Sequence, residues 1–205
     1  MKLPTLLLAL VVAALIASGI APTDRLTWWM EVLPVLIAIP VLIATRHAFP
    51  LTPLLYVLIA LHALILIYGG TYTYAHVPLG FWMEDWFGLT RNPYDKIGHF
   101  AQGFVPVLIA REILLRGRFL NHRHRLMASF LSGCVAMAIS AVYELVEWGA
   151  AVIMGQGADE FLGTQGYEWD TQSDMGFALL GAVVALLLLS RWHDRQMARQ
   201  TVKPV

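Results

Sequence analysis

Residues 126–154, LMASFLSGCVAMAISAVYELVEWGAAVIM, decide the fold: the stretch is apolar throughout except for Glu144 and Glu147. About 20 mostly apolar residues cross a bilayer, so this run is long enough to cross and either tilt or extend beyond it. Ionisable groups in hydrocarbon are costly, and they usually face a protein interior or a watery cavity where partners are found. Spaced three apart on a helix, the two glutamates share a face. That face needs something positive.

The rest of the chain has the same character. Its 205 residues are 58% hydrophobic and 14% charged, where a soluble domain averages about a quarter charged; the chain is an integral membrane protein. A formal net charge of zero gives no footprint for nucleic acid, and the partners expected from composition are membrane lipids. The single cysteine, Cys134, excludes an internal disulfide. No GxSxG, P-loop, HExxH or CxxC motif occurs, which removes the usual support for serine-hydrolase and nucleotide-driven chemistry. No repeat or linker divides residues 1–205, so one membrane domain is expected.

Six segments read as spans: residues 3–20, 32–45, 53–68, 97–115, 126–154 and 175–190. Pro34 and Pro40 are predicted to kink the second. The expected fold is an all-α, polytopic helix bundle. With alternating spans, Lys2, Arg46, Arg111, Arg116, Arg118, Arg123, Arg125, Arg191, Arg195, Arg199 and Lys203 fall on one side, and only Arg25, Arg91 and Lys96 on the other. The positive-inside rule makes the basic side, and both termini, cytoplasmic. Twelve of the fourteen acids lie on or toward the outer side, Glu112 and Asp194 being the exceptions. Residues 1–21 also have the look of a signal peptide, but their charged region is thin and their apolar stretch long, which favours an uncleaved span. The expected location is the bacterial inner membrane.

Two outer loops are unusual. Residues 69–94 carry Tyr72, Tyr74, Phe81, Trp82, Trp86 and Phe87, the composition of an interfacial belt or a short helix at the headgroups. Residues 155–173 mix glycine, acids and Trp169, a loop that can fold back over a site or serve as a plain connection.

Three groups of polar residues approach the same leaflet. Asp95, His99 and Gln102, at spacings of four and three, line one face at the outer end of the fourth span. Glu144 and Glu147, with Ser140, line a face of the fifth; at about 1.5 Å per residue, Glu144 sits on the order of 15 Å below that helix's outer end. Asp170 and Asp174 open the sixth. Local roles compete with chemical ones. Asn92, Pro93 and Asp95 resemble a helix start, and Thr171 with Asp174 resembles a capping arrangement. His99 alone can be a hydrogen-bonded interior histidine. The glutamates lie in mid-helix, where no amide needs a cap.

His99 cannot neutralise this many carboxylates, and Lys96 is expected to reach for the headgroups. Three solutions stand: a divalent metal, with Zn, Mn or Fe favoured over Ca by the nitrogen ligand; a glutamate kept protonated by desolvation; or a cationic substrate. His62, midway along the third span, either joins the cluster or bonds a neighbouring helix, the second being slightly favoured. His76, Glu84 and Asp85 are entrance candidates, and His122 and His124 belong to a solvated basic turn.

The blocks NPYDKIGHFAQGFVPVLIARE, SAVYELVEWGAA and GTQGYEWDTQSDMGFALLGA resemble the YjdF-type bacterial inner-membrane proteins, over most of the chain after residue 30. More distantly the same order is similar to VanZ-like membrane proteins, with Asp95, Lys96, His99, Glu144, Asp170, Asp174 and Gly181 at the matching positions. VanZ-like proteins typically carry glutamine where Glu147 stands and asparagine near Asp174, so this site is the more acidic. The resemblance implies the fold and a shared site, links the VanZ-like members loosely to glycopeptide resistance and the envelope, and supplies no activity for the YjdF type.

The leading expectation is a metal-dependent hydrolase or transferase acting on an envelope lipid or lipid-linked substrate. His99, Glu144 and Asp174 are its candidate ligands, Glu147 its general base, and Asp95 a catalytic or ligand-supporting group. Gln102, Asp170 and Trp169 are candidates for contacting substrate. The alternatives are a proton-coupled transporter or binder of a small cation, and a non-catalytic envelope assembly factor.

Overall fold

The computed structural model describes residues 2–154, 165 and 167–200. Its helices are α1 (Leu3–Ser18), α2 (Arg25–Thr45), α3 (Pro53–Tyr72), α4 (Pro78–Phe87), α5 (Tyr94–Arg116), α6 (Arg125–Met154) and α7 (Asp170–Arg199), and no strand occurs among the described residues. Five of these are long and apolar enough to cross a membrane, and α1 is a shorter apolar helix. The chain is a polytopic membrane helix bundle.

Helix ends follow local chemistry. The Asp24 side chain accepts a hydrogen bond from the Thr27 amide at 2.7 Å and caps α2, which therefore begins before the apolar run and takes Glu31 into the helix. Pro34 and Pro40 both lie inside α2. Asn92 Oδ1 accepts from the Tyr94 amide, so the asparagine does serve the start of α5. Asp95 does not cap. Likewise α7 starts at Asp170 without a side-chain cap, and Thr171 and Asp174 fall within it. Trp82, Trp86 and Phe87 of α4 are exposed, the disposition of an interfacial helix; Tyr74, in the turn before it, is buried.

Alternation of the spans is written in hydrogen bonds at both ends. At the basic end Thr52, just before α3, bonds Glu112 near the end of α5, and Gln196 of α7 accepts from the Leu54 amide. At the other end the Thr23 amide donates to the Thr71 carbonyl, and Lys96 of α5 reaches Asp170 at the start of α7.

Lipid tails are as apolar as leucine, so association inside the membrane depends on close packing by small residues. The α5–α7 crossing is built that way. A Cβ on Gly103 would run into the Ala178 carbonyl, and one on Gly181 into the Phe100 carbonyl. α5 is the hub, with α7, α6 and α3 packed on it, while α1 and α2 pack on α3. Leu55, Val107, Leu108, Ala136, Ala182 and Ala185 form an apolar layer that lies, along each of their helices, between the polar residues of the two ends.

Candidate functional site

His99 is the centre of the outer polar cluster. On α5, its ring lies near carboxylates of both α6 and α7 and is almost fully buried. Nε2 lies 3.2 Å from Asp95 Oδ1 and 3.8 Å from Asp174 Oδ1. Nδ1 lies 3.7 Å from Glu144 Oε1 and 3.2 Å from Gln102 Oε1. Two sets of ligand-type atoms converge within 4.8 Å of one another: Asp95, His99 and Asp174, and His99, Glu144 and Glu147. The site predicted on three helices is thus brought together.

The two sets differ in what already fills them. Lys96, expected at the headgroups, instead turns into the cluster. Its ammonium bonds Asp174, lies 2.8 Å from Asp170 Oδ1 and 3.4 Å from Asp95 Oδ2. Arg91 adds a 2.7 Å pair to Asp170 and stacks over the Tyr167 ring at 4.5 Å. Folding back satisfies buried carboxylates that the headgroup region could not reach. The first set therefore has a cation of its own. Around the second, among the described residues, Glu144 Oε1 and Ser140 Oγ are buried without a hydrogen-bond partner and no lysine or arginine is paired with Glu144 or Glu147.

A cavity of about 180 Å³ opens beside His99, lined by Asp95, His99 and Glu147 together with Glu31, His62 and Tyr143. Glu31 and His62 come from α2 and α3, outside the three helices expected to form the site. Glu31 is 4% exposed and accepts one hydrogen bond, from the Tyr143 hydroxyl at 3.3 Å. The expected bond from His62 to a neighbouring helix is missing at Nε2, which has no partner among the described residues. Tyr74 also lines this cavity. Burial first, and then the Glu31 carboxylate, push its phenol well above the ordinary tyrosine value, so it stands there as a neutral hydroxyl.

Other expected groups lie elsewhere. Trp169 is 62% exposed and lines no part of the cavity described above. Asp170 belongs to the Lys96–Arg91 pairs rather than to the cavity. The His76 Nδ1 is 2.9 Å from Thr73 Oγ1, a turn contact, and Asp85 is exposed. Of the second outer loop, residues 155–164 and 166 lie outside the described residues.

A family model described as "Predicted membrane protein (DUF2238)" matches residues 3–195, which include every residue of the cluster. The chain belongs to this DUF2238 family. The Inner membrane protein YjdF of Escherichia coli (strain K12) is 62% identical to this chain over 185 residues, 90% of this chain and 88% of that protein. The YjdF-type resemblance is therefore established, and the name of that relative agrees with the expected inner-membrane location. No solved structure matches the chain.

A second buried cluster, which the sequence reading did not identify, occupies the basic end. Glu112 and His193 are both 0% exposed. Glu112 accepts from the Thr52 amide and hydroxyl at 3.0 and 2.7 Å, from Arg116, and has His193 Nε2 at 2.7 Å. Beside it Asp194 accepts from Arg111 at 2.6 Å and from Arg125 at 2.7 Å. A readable signal existed in the i, i+4 pair Glu112–Arg116; the remaining partners are distant in the chain.

Proposed function

We propose that the outer site is a divalent-metal centre of a hydrolase or transferase acting on an envelope lipid or lipid-linked substrate, with His99, Glu144 and Glu147 as the ligands. The observation carrying this reading is the second convergent set: one imidazole and two carboxylates within 4.8 Å, buried, with His99 and Glu147 bordering a cavity and the carboxylates without a lysine or arginine partner among the described residues. Nitrogen with carboxylate oxygen suits Zn, Mn or Fe. The ion, when bound, supplies a water of lowered pKa as nucleophile.

The surrounding residues have distinct tasks in this reading. His99 presents Nδ1 to Glu144, while Asp95 accepts from Nε2–H and so holds the tautomer and the ring orientation. Asp95 is a positioning residue. Asp174, paired with Lys96, acts as an anchor for α7 rather than as a ligand, and Glu147 serves as ligand rather than as general base. Gln102, whose Oε1 lies 3.2 Å from the same Nδ1, would give up that contact to the ion.

The apolar layer of Leu55, Val107, Leu108, Ala136, Ala182 and Ala185 supports enzyme over proton-coupled transporter, since a proton path needs polar groups or water across it. An assembly factor would not need buried carboxylates without cationic partners.

The test is metal analysis of protein purified without chelators. Near-stoichiometric Zn, Mn or Fe, lost in His99→Ala and Glu144→Gln variants that keep their thermal unfolding transition, is the expected result. Sub-stoichiometric metal in the wild-type protein after metal-replete growth would overturn the reading.

A further inference from the structure

Glu31 lies outside both convergent sets, yet it is the more unusual carboxylate. It sits within a membrane-crossing helix, 4% exposed, and lines the same cavity as His99. A phenol hydroxyl is its hydrogen-bond partner, and no lysine, arginine or histidine forms an ion pair with it among the described residues. A buried carboxylate with a neutral partner is costly unless a cation completes it.

The walls around it suit a particular kind of cation. Tyr143 and Tyr74 line the cavity, and aromatic rings attract ammonium groups, more strongly when desolvated. Tyr74 is held there at a conformational cost. It follows Thr73, whose φ is 55°, and itself has φ of 20°, left-handed backbone that non-glycine residues rarely adopt. The ring is seated in a gap left by Gly69 and Gly98, where any Cβ would strike it. His62, with an unpartnered Nε2, and Leu66 close the same wall. At about 180 Å³ the cavity exceeds the roughly 150 Å³ that admits benzene in an engineered apolar void, so a headgroup fragment of several heavy atoms fits.

We infer that Glu31, flanked by the Tyr74 and Tyr143 rings, is an ammonium-binding subsite that selects substrates bearing an amine within a headgroup's length of the His99 centre. The choice of reacting bond rests on the metal-centre reading; the binding itself does not. Tyr143 is a positioning residue that aims the carboxylate through its hydroxyl. The amine can arrive on a phospholipid or on a soluble molecule.

The experiment places the full chain in vesicles of equal phosphatidylethanolamine and phosphatidylglycerol, extracts it, and measures retained lipid by native mass spectrometry. Wild-type protein should retain the amine lipid over the glycerol lipid by about tenfold, the worth of one charged hydrogen bond. Glu31→Gln should abolish that preference while its metal content stays at the wild-type level, and Glu31→Asp should restore part of it. A second measurement needs no variant: soluble glycerophosphoethanolamine, against glycerophosphoglycerol, competes for the wild-type site. If the soluble amine displaces the lipid at comparable concentration, the subsite is confirmed and its source is soluble; if only the lipid is held, the source is the membrane. Equal retention of both lipids by wild-type protein with no effect of the soluble amine, or an unchanged preference in Glu31→Gln, would overturn the inference. Loss of metal with retained amine preference would instead sink the metal centre alone.

Discussion

The two ends of the bundle solve one problem in opposite ways. Both bury carboxylates and a histidine between α5 and α7. At the basic end all four carboxylate oxygens of Glu112 and Asp194 meet a donor, from Thr52, Arg111, Arg116, Arg125 or His193. At the outer end Glu144 Oε1 has none among the described residues, Glu31 has a phenol, and a cavity opens beside Glu31 and His99. Closed pairing is what a clamp needs, because each buried charge is neutralised where it stands. Surplus acid beside empty volume stabilises nothing by itself. The proposal of a ligand at the outer end rests on that difference in the carboxylates.

The largest effect should come from opening the clamp. Glu112→Ala leaves Arg116 and His193 buried without their carboxylate, and breaking a buried pair from one side costs about 3–5 kcal/mol. Glu147→Gln at the outer end removes a surplus charge and should cost less than about 1 kcal/mol in metal-free protein. Thermal or denaturant unfolding in one detergent compares the two. Equal losses would erase the distinction between the ends.

Lys96 is where the two ends resemble each other, because it brings clamp-like pairing to one half of the outer site. Lys96→Met should destabilise metal-free protein by about 3 kcal/mol, the lower end of the range for a broken buried pair, since Arg91 still holds Asp170. It should also release Asp95, His99 and Asp174, so added Mn should restore part of the lost stability and raise the metal-to-protein ratio above wild type. An unchanged ratio would mean that this set is no potential ligand set even when its own cation is gone.

How much of this was readable in sequence follows from range. The helices were legible because apolar runs of bilayer length have few other meanings. The outer triad was legible because its members recur at three and four residues on single helices. Glu31 was missed because the second span was read from residue 32, at the edge of the apolar run, although Asp24 carried the cap signal that starts α2 seven residues earlier. Lys96 was misplaced because a long flexible side chain has no direction until its neighbours are known. The basic-end clamp joins residues 60 and 81 apart; no periodicity reports such a pairing, and its charges were read only as markers of topology.

The α5–α7 crossing links the two ends, and its small residues allow a milder test. Gly103→Ala forces a methyl toward the Ala178 carbonyl, backbone that cannot turn aside. Overpacking of this kind costs about 2 kcal/mol. Because α5 carries His99 while α6 carries Glu144 and Glu147, a shift of α5 moves the imidazole against those carboxylates, so the same change should weaken metal retention. Gly133→Ala on α6, where no atom lies within 4 Å of the new methyl, should do neither. Metal loss without destabilisation would show that the crossing sets the site's geometry more than the fold's strength.

The smallest effect belongs to Asp24, which places Glu31 in a helix. Asp24→Ala removes a cap worth about 1 kcal/mol. The Thr27 backbone amide, and then its hydroxyl, hold the Asp24 carboxyl below the usual aspartate value. The sign follows: with a lowered folded pKa, the cap's contribution is fully present above the unfolded value of about 3.9 and is lost as pH falls through the folded one. The wild-type and Asp24→Ala proteins should therefore converge in stability below that point and differ at neutral pH. Since the start of α2 fixes the approach of Glu31 to Tyr143, the variant should also reduce the amine preference more than it reduces metal content, which ties the cap to the inner wall of the cavity and not to the His99 centre.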